Sequence, residues 1–235
     1  MSEDGAPGTL ARLGEVGSLA ARFWRGFGHG GARGPKDGPP VLVIPGFIAS
    51  DFTTKELRRA LAEAGFRVHP WRQGINWGAR PDTLDRLRHA VDLCGAERPI
   101  LLVGWSLGGL YAREIARIEP DRVRAVVTLG SPVWGDRRRY TNVWKLYEWV
   151  AGHPVDDPPI PDIEDKPPVP TLAIWSSRDG IVAACSARGT TATCDKAVEV
   201  DSTHMGFAVS KKGTRQAVAE IVRFLKEVEG AESRH

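Results

Sequence analysis

With 235 residues, 42% of them hydrophobic, the chain can bury one sizeable core, and its length favours a single domain carrying an insertion over two domains. Charged residues make up 26%, yet the two signs nearly cancel to +3, which excludes a net field that would draw nucleic acid or an anionic membrane. No apolar run reaches the roughly 18 residues of a membrane span, and the N-terminus lacks the basic, apolar and small-residue regions of a secretory signal, so a cytoplasmic protein with no transmembrane segment is expected.

In chain order, residues 9 to 27 place Leu10, Leu13, Val16, Leu19, Phe23, Trp24 and Phe27 at helical intervals, which predicts an amphipathic helix. Such a helix either packs on the domain or makes a weak interfacial contact with a lipid substrate. "GHGGARGPKDGPP", 28 to 40, then reads as a Gly/Pro linker that closes an N-terminal region 1–40. Beyond it, "VLVI" (41–44) reads as a buried strand, 51–64 as a helix in which Thr53 and Glu56 have capping-box spacing, and "FRVHPW" as a second strand. "PDTLDRLRHAVDLCG" is a helix opened by Pro81 and ended by Gly95; "ILLVGW" is a strand, 107–118 a helix, and "VRAVVTLG" a fourth strand. After an interruption, "TLAIWS" (171–176) and "AVEVDS" (197–202) supply two more strands, and "TRQAVAEIVRFLKEVE" a closing helix. Continuous apolar strands alternating with helices predict an α/β fold, a mostly parallel sheet of about six strands with helices on both faces.

The interruption, 133–170, has two halves. Trp134, Tyr140, Trp144, Tyr147 and Trp149 crowd a short helical stretch, and the span from His153 to Pro170 holds seven prolines, a stiff surface strap. Because it follows a strand whose C-terminal end should face an active site, it is expected to be an aromatic cap or lid; a plain structural insertion is the alternative. The core would then comprise 41–132 and 171–235. Arg137-Arg138-Arg139, the longest basic run, reads as a solvated face. Cys94, Cys185 and Cys194 lack metal-ligand spacing and are expected as free thiols, although Cys185 and Cys194 bracket a loop that a local disulfide could close in an oxidising compartment.

Gly104-Trp105-Ser106-Leu107-Gly108, extended by Gly109, fits G-x-S-x-G between an apolar strand and a helix. The pattern implies a sharp turn that strains the serine dihedrals, with glycines letting strand and helix approach. Ser106 is therefore the candidate nucleophile rather than a turn serine. A serine hydroxyl needs a base, and the base an orienting acid. In the chain order serine, acid, histidine, Asp179 follows "TLAIWS" and His204 follows "AVEVDS", both at strand C-termini. His29, His69, His89, His153 and His235 fall in the linker, a strand, a helix, the strap and the terminus, while Asp195 and Asp201 are the rival acids. For the oxyanion hole, the amide after the nucleophile belongs to Leu107, and "IPGFIAS" offers the Phe47 N–H, with Ile48 next.

"VIPGF", "GWSLGGLYA", "LGSPVWG", "WSSRDGIV" and "DSTHMGF", spread over about 41 to 228, resemble the α/β-hydrolase superfamily, and its bacterial lipase and esterase branch in particular. The resemblance implies a small α/β-hydrolase fold without the family's first two strands, and a serine hydrolase that works through an acyl-enzyme with no cofactor and no metal. An aromatic cap suits hydrophobic carboxylic esters, from small molecules or lipids, as for a carboxylesterase or lipase; Ile48, Trp105, Val133, Trp134 and Met205 are expected along the substrate pocket. An acyltransferase moving the acyl group to an alcohol, an amidase and a thioesterase use the same parts and stay open as alternatives. No nucleic-acid partner is expected, and the sequence specifies no oligomeric state.

Overall fold

Strand side chains alternate between two faces, and here both faces are apolar. The computed structural model describes residues 5–7, 35–95 and 98–233. The helix expected over 9–27 and the linker up to residue 34 lie outside the described residues. Six strands form one sheet: β1 (Pro40–Ile44), β2 (Arg67–Pro70), β3 (Ile100–Trp105), β4 (Val123–Leu129), β5 (Thr171–Trp175) and β6 (Lys196–Glu199). Their order is β2-β1-β3-β4-β5-β6, and every neighbouring pair is parallel.

The helices cover both sides. On one face Val41, Val43, Leu101, Val103 and Val127 pack with Leu57 and Leu61 of α1 (Lys55–Glu63) and with Ile221 and Phe224 of the long C-terminal helix. On the other, Leu42, Ile44, Leu102 and Val126 pack with Leu87 and Val91 of α2 (Thr83–Asp92) and with Tyr111 and Ile115 of α3 (Leu107–Ile118). The 133–170 segment contributes α4 (Arg137–Tyr140) and α5 (Trp144–Ala151); it is followed by α6 (Ala184–Arg188), α7 (Gly206–Val209) and α8 (Lys211–Glu232).

Helix starts are where the sequence misleads. The helix expected from residue 51 begins at Lys55, because Asp51 serves another purpose: its carboxylate accepts from the N–H groups of Trp71 and Arg72 at 3.1 and 3.0 Å, tying the loop after β1 to the end of β2. Thr53 Oγ1 accepts from Ser50 N–H at 3.3 Å instead of capping the helix. Likewise α2 begins at Thr83, whose hydroxyl accepts from Arg80 N–H at 2.8 Å, two residues beyond Pro81. Cys94, Cys185 and Cys194 are free thiols, so no bond joins Cys185 to Cys194. Burial pushes the Cys94 thiol up to about 12.

The tightest approach lies at the centre of the sheet. A Cβ on Gly104 would collide with the backbone of Gly108 and Gly109, and one on Gly108 with the carbonyl of Ile44, so β1, β3 and the first turn of α3 meet backbone to backbone. Gly104→Ala is expected to cost about 1–3 kcal/mol through overpacking, at roughly 2–4 °C of Tm per kcal/mol for a chain of this size. Gly230→Ala, in open space on α8, should instead stabilise by about 0.5–1 kcal/mol. Thermal melts of the two variants check this, and a Gly104→Ala protein as stable as its parent would refute the close contact.

Candidate active site

Ser106 sits between β3 and α3 with φ 54° and ψ −123°, a conformation that is rare for any residue with a side chain. Two backbone hydrogen bonds hold it there. Its N–H donates to Leu129 O and its carbonyl accepts from Gly109 N–H, both at 2.9 Å. The hydroxyl thus stands at the N-terminal end of a 12-residue helix, where unpaired amides and the helix dipole favour negative charge.

Asp179 and His204 come from loops beyond β5 and β6, and each is 4% exposed. His204 Nδ1 lies 2.8 Å from Asp179 Oδ2. The other carboxylate oxygen accepts from Ile181 and Val182 N–H at 2.8 and 2.9 Å, which fixes the carboxylate plane. A carboxylate only accepts, so Nδ1 donates and the neutral ring keeps its lone pair on Nε2. The same loops are pinned to the serine turn. Trp105 Nε1 donates to the His204 carbonyl at 3.0 Å, with its ring 5.6 Å from the imidazole. Gly130, next to the Leu129 carbonyl that holds Ser106, has φ 55°; a Cβ there would lie 2.8 Å from Asp179 Oδ2 and 3.2 Å from His204 Nδ1. Ser106, Asp179 and His204 therefore converge on one edge of the sheet.

The rival groups are occupied elsewhere. Asp201 is exposed, with Arg178 at 2.6 Å and Lys212 on its other oxygen, and Lys212 followed by Arg178 holds its carboxyl below the usual range. Asp195 takes Lys166 Nζ at 2.7 Å and Thr171 N–H at 2.8 Å. His69 belongs to β2, and burial, with Arg67 and Arg72 nearby, depresses its pKa. Of the two amides weighed in the loop after β1, Ile48 N–H is committed to Asn76 O at 2.7 Å, whereas Phe47 N–H, like Leu107 N–H, donates to none of the described residues.

A cavity opens beside Ser106, and its wall corrects the pocket expected from the sequence. Phe47, Leu107, Leu110 and Tyr111 line one side; Arg137, Val143, Trp144, Tyr147, Ile160 and Asp162, all from the 133–170 segment, line another, with Ile181 and Val182 between. None of Ile48, Trp105, Val133, Trp134 and Met205 lines it. Ile48 is 43% exposed and turns outward at φ 51°. Trp105 is buried in the core on the α1 and α8 face, and Met205 packs against that core. Val133 is buried with its N–H on Ser186 O at 3.1 Å, and Trp134 stacks on Tyr140 at 5.9 Å. Position after a strand identifies a loop; it does not say where each side chain of that loop points. The signal that was available is helical spacing, because Trp144 and Tyr147 share one face of α5, and Val143 just before it lies four residues from Tyr147.

Polar contacts fasten this wall. Tyr147 Oη accepts from Ala79 N–H at 3.2 Å, and the Phe47 and Tyr147 rings meet edge to face at 5.1 Å. From α3, buried Arg113 donates to the carbonyls of Thr193 at 2.7 Å, Glu164 at 2.6 Å and Asp165 at 3.0 Å. Arg117 reaches the carbonyls of Ile163 at 2.9 Å, Lys166 at 3.3 Å and Asp165, while Glu114 accepts from Ile163 N–H at 3.2 Å. Burial lowers the Arg113 pKa to about 10, which leaves it charged at neutral pH. Arg137, read from the sequence as part of a solvated basic face, is instead buried and paired with Asp162 at 2.9 Å. Among the described residues, no group of three His, Cys, Asp or Glu side chains is placed to hold a metal ion, and no helix is long and apolar enough to cross a membrane.

Residues 41–223 match the model of the alpha/beta hydrolase family, and the chain belongs to that family. In sequence it is similar to the AB hydrolase superfamily protein YfhM of Bacillus subtilis (strain 168), at 26% identity over 113 residues, 44% of this chain and 40% of that protein. The chain spans less than half the length of the curated relatives it matches. In structure it is similar to naproxen esterase (carboxylesterase NP) from Bacillus subtilis, with a TM-score of 0.57, 17% identity, and 92% of this chain and 96% of that one covered. It is also similar to the thioesterase domain from the curacin biosynthetic pathway, with a TM-score of 0.57, 14% identity, and 82% and 93% covered. At these identities the likeness carries the fold.

Removing the clamp on the strap tests its weight. Arg113→Met takes the donor from the carbonyls of Thr193 and Glu164 and leaves Asp165 O to Arg117 alone; it is expected to cost about 1–3 kcal/mol. Denaturant unfolding measures the loss, and limited proteolysis should show faster cleavage within 160–170 than elsewhere.

Proposed function

We propose that the protein is a serine hydrolase that cleaves carboxylic esters with hydrophobic groups through an acyl-enzyme. The observation that carries this reading is the buried 2.8 Å contact between His204 Nδ1 and Asp179 Oδ2, at the same sheet edge as the strained Ser106. In this reading His204 Nε2 takes the Ser106 proton as Oγ attacks the ester carbonyl, and Asp179 holds the ring in the required tautomer and stabilises its charged form. The N–H groups of Phe47 and Leu107 receive the oxyanion, each worth about 10²–10³ in rate. His204 then protonates the departing alcohol, and water repeats the sequence to release the acid.

The apolar wall supports the hydrophobic part of the reading, and residues 133–170 act in it as a cap that encloses the acyl group. A thioester is the second reading. The likeness to the curacin thioesterase domain favours it, and sulfur as the leaving atom requires no change in the roles of Ser106, Asp179 or His204.

Ser106→Ala is expected to fold as the parent, to lose labelling by a fluorophosphonate, and to lose about 10⁴-fold or more in kcat; Asp179→Asn should lose about 10⁴-fold through the wrong tautomer. Substantial turnover by purified Ser106→Ala refutes the reading. Chain-length series of nitrophenyl esters and acyl thioesters, with an emulsified triglyceride alongside, separate esterase, thioesterase and lipase. Activity confined to soluble short chains would rule out a lipase.

A further inference from the structure

Asn76 braces residues 45–49, the loop that carries Phe47: its carbonyl accepts from Ile48 N–H at 2.7 Å, its N–H donates to Ala49 O at 2.8 Å, and its Nδ2 donates to Pro45 O at 2.9 Å. The chain around Asn76 also opens a second cavity, of about 260 Å³. Tyr111, one helical turn past Leu107 on α3, is the one residue that lines both this cavity and the one beside Ser106. The second cavity is smaller than the roughly 300–1,000 Å³ of a site for a drug-sized ligand, so it has room for one polar group and a short spacer.

Two arginines, Arg80 and Arg86, line it, and no carboxylate does. Neither has an acidic partner among the described residues, whereas Arg88, two positions on, pairs with Asp85 at 3.5 Å and Glu119 at 3.2 Å. Both side chains are exposed, so an incoming group reaches them. Their charged ends lie at the cavity walls. Arg86 Nη2 donates at 3.3 Å to the carbonyl of Gln73, itself a wall residue. Burial holds the Tyr111 pKa well above its ordinary value, Tyr147 adds to this, and the nearby Arg80 charge opposes it.

Two like charges that share one small space repel. An anion between them ends the repulsion, and planar guanidinium forks suit the oxygens of a phosphate or a carboxylate. Charge decides between the two. A phosphate monoester carries about −1.5 to −2 at neutral pH and matches both cations, while a carboxylate matches one.

We propose that this cavity binds a phosphate group through Arg80 and Arg86. The assignment goes beyond the acyl chemistry at Ser106 and does not depend on it. Two sources supply such a group, free phosphate and a phosphate monoester on the alcohol or thiol half of the substrate, and the test separates them.

Inorganic phosphate is titrated into the full chain by calorimetry at constant ionic strength, with acetate as the comparison anion. Saturable one-to-one binding with a Kd of about 1 mM is expected, about tenfold tighter than acetate. Arg80→Gln and Arg86→Gln should each weaken it about tenfold, the worth of one hydrogen bond to a charged group. Arg88→Gln, which removes the same charge from α2 outside the cavity, should leave it unchanged. No saturable binding, acetate bound as tightly as phosphate, parental affinity in both cavity variants, or an equal loss in Arg88→Gln overturns the proposal. The titration needs no turnover, so its failure is distinct from failure of the serine-hydrolase reading, which the fluorophosphonate label on Ser106 reports. Acyl esters and thioesters of hydroxyalkyl and mercaptoalkyl phosphates, with spacers of increasing length, then identify the source. A spacer at which kcat/KM exceeds that of the unphosphorylated parent about tenfold, with the excess lost in Arg80→Gln, assigns the phosphate to the substrate. No preference at any spacer assigns the site to free phosphate. If either arginine variant does not fold by circular dichroism, the comparison of phosphate with acetate on the parent chain decides alone.

Discussion

Between β3 and α3 two backbones touch with no side chain between them, and Ser106 is the residue bent to make that contact. Its positive φ costs about 1–3 kcal/mol for a residue with a side chain, so the surroundings must over-determine it. They do so from three directions. The Leu129 carbonyl takes the serine N–H, Gly109 N–H takes its carbonyl, and the absence of a Cβ at Gly104 and Gly108 lets α3 sit against β3 and β1. The strands that supply this support are the most deeply buried of the sheet, with Leu42, Val43, Val103 and Val127 all at 0% exposure. Unbending the serine would mean moving the middle of the core.

The same helix also holds the far wall. A strap with seven prolines over 153–170 has lost N–H groups but kept every carbonyl, so its acceptors outnumber its donors. Arg113 and Arg117, one turn apart on α3, meet that imbalance with planar donor forks that satisfy carbonyls from Ile163 to Lys166. Glu114 accepts one of the strap's remaining N–H groups. Thus α3 presents the serine at its first turn and, two to three turns later, fastens the segment that carries Ile160 and Asp162 to the cavity. The serine and the wall opposite it share one rigid reference.

This arrangement explains what the sequence made legible and what it hid. The central strands, buried on both faces, are written as unbroken apolar runs, whereas the edge strands β2 and β6 are half-buried and were readable only from shorter mixed stretches; α3 spans the 107–118 stretch expected of it because Ser106 leaves no choice of start. Asp179 and His204 were readable for the same reason: a loop just past a parallel strand lands on a known edge of the sheet. What stayed hidden depends on side-chain direction. Trp105 is next to Ser106 in sequence, yet the strand alternation sends it into the core, where it supports His204 from beneath. The triple arginine looked like a solvated face because nothing local marks Arg137 as different; its partner Asp162 lies 25 residues away across the strap. Long-range pairing of that kind has no period to read.

The two halves of the site are held by different forces. Ser106, Asp179 and His204 sit on loops anchored in the large apolar clusters, whereas the 133–170 segment gives those clusters only Ile160 and Val169 among its fully buried side chains. It is held instead by guanidinium forks, by the Tyr147 hydroxyl on Ala79, and by the Arg137–Asp162 pair. Segments with few buried apolar contacts open at a lower free energy than the core. The Arg137–Asp162 pair is only half-buried, with the Asp162 side chain 24% exposed, and a pair so placed adds little stability of its own. A segment fastened by polar contacts rather than by the core can change its side chains without disturbing the bend at Ser106.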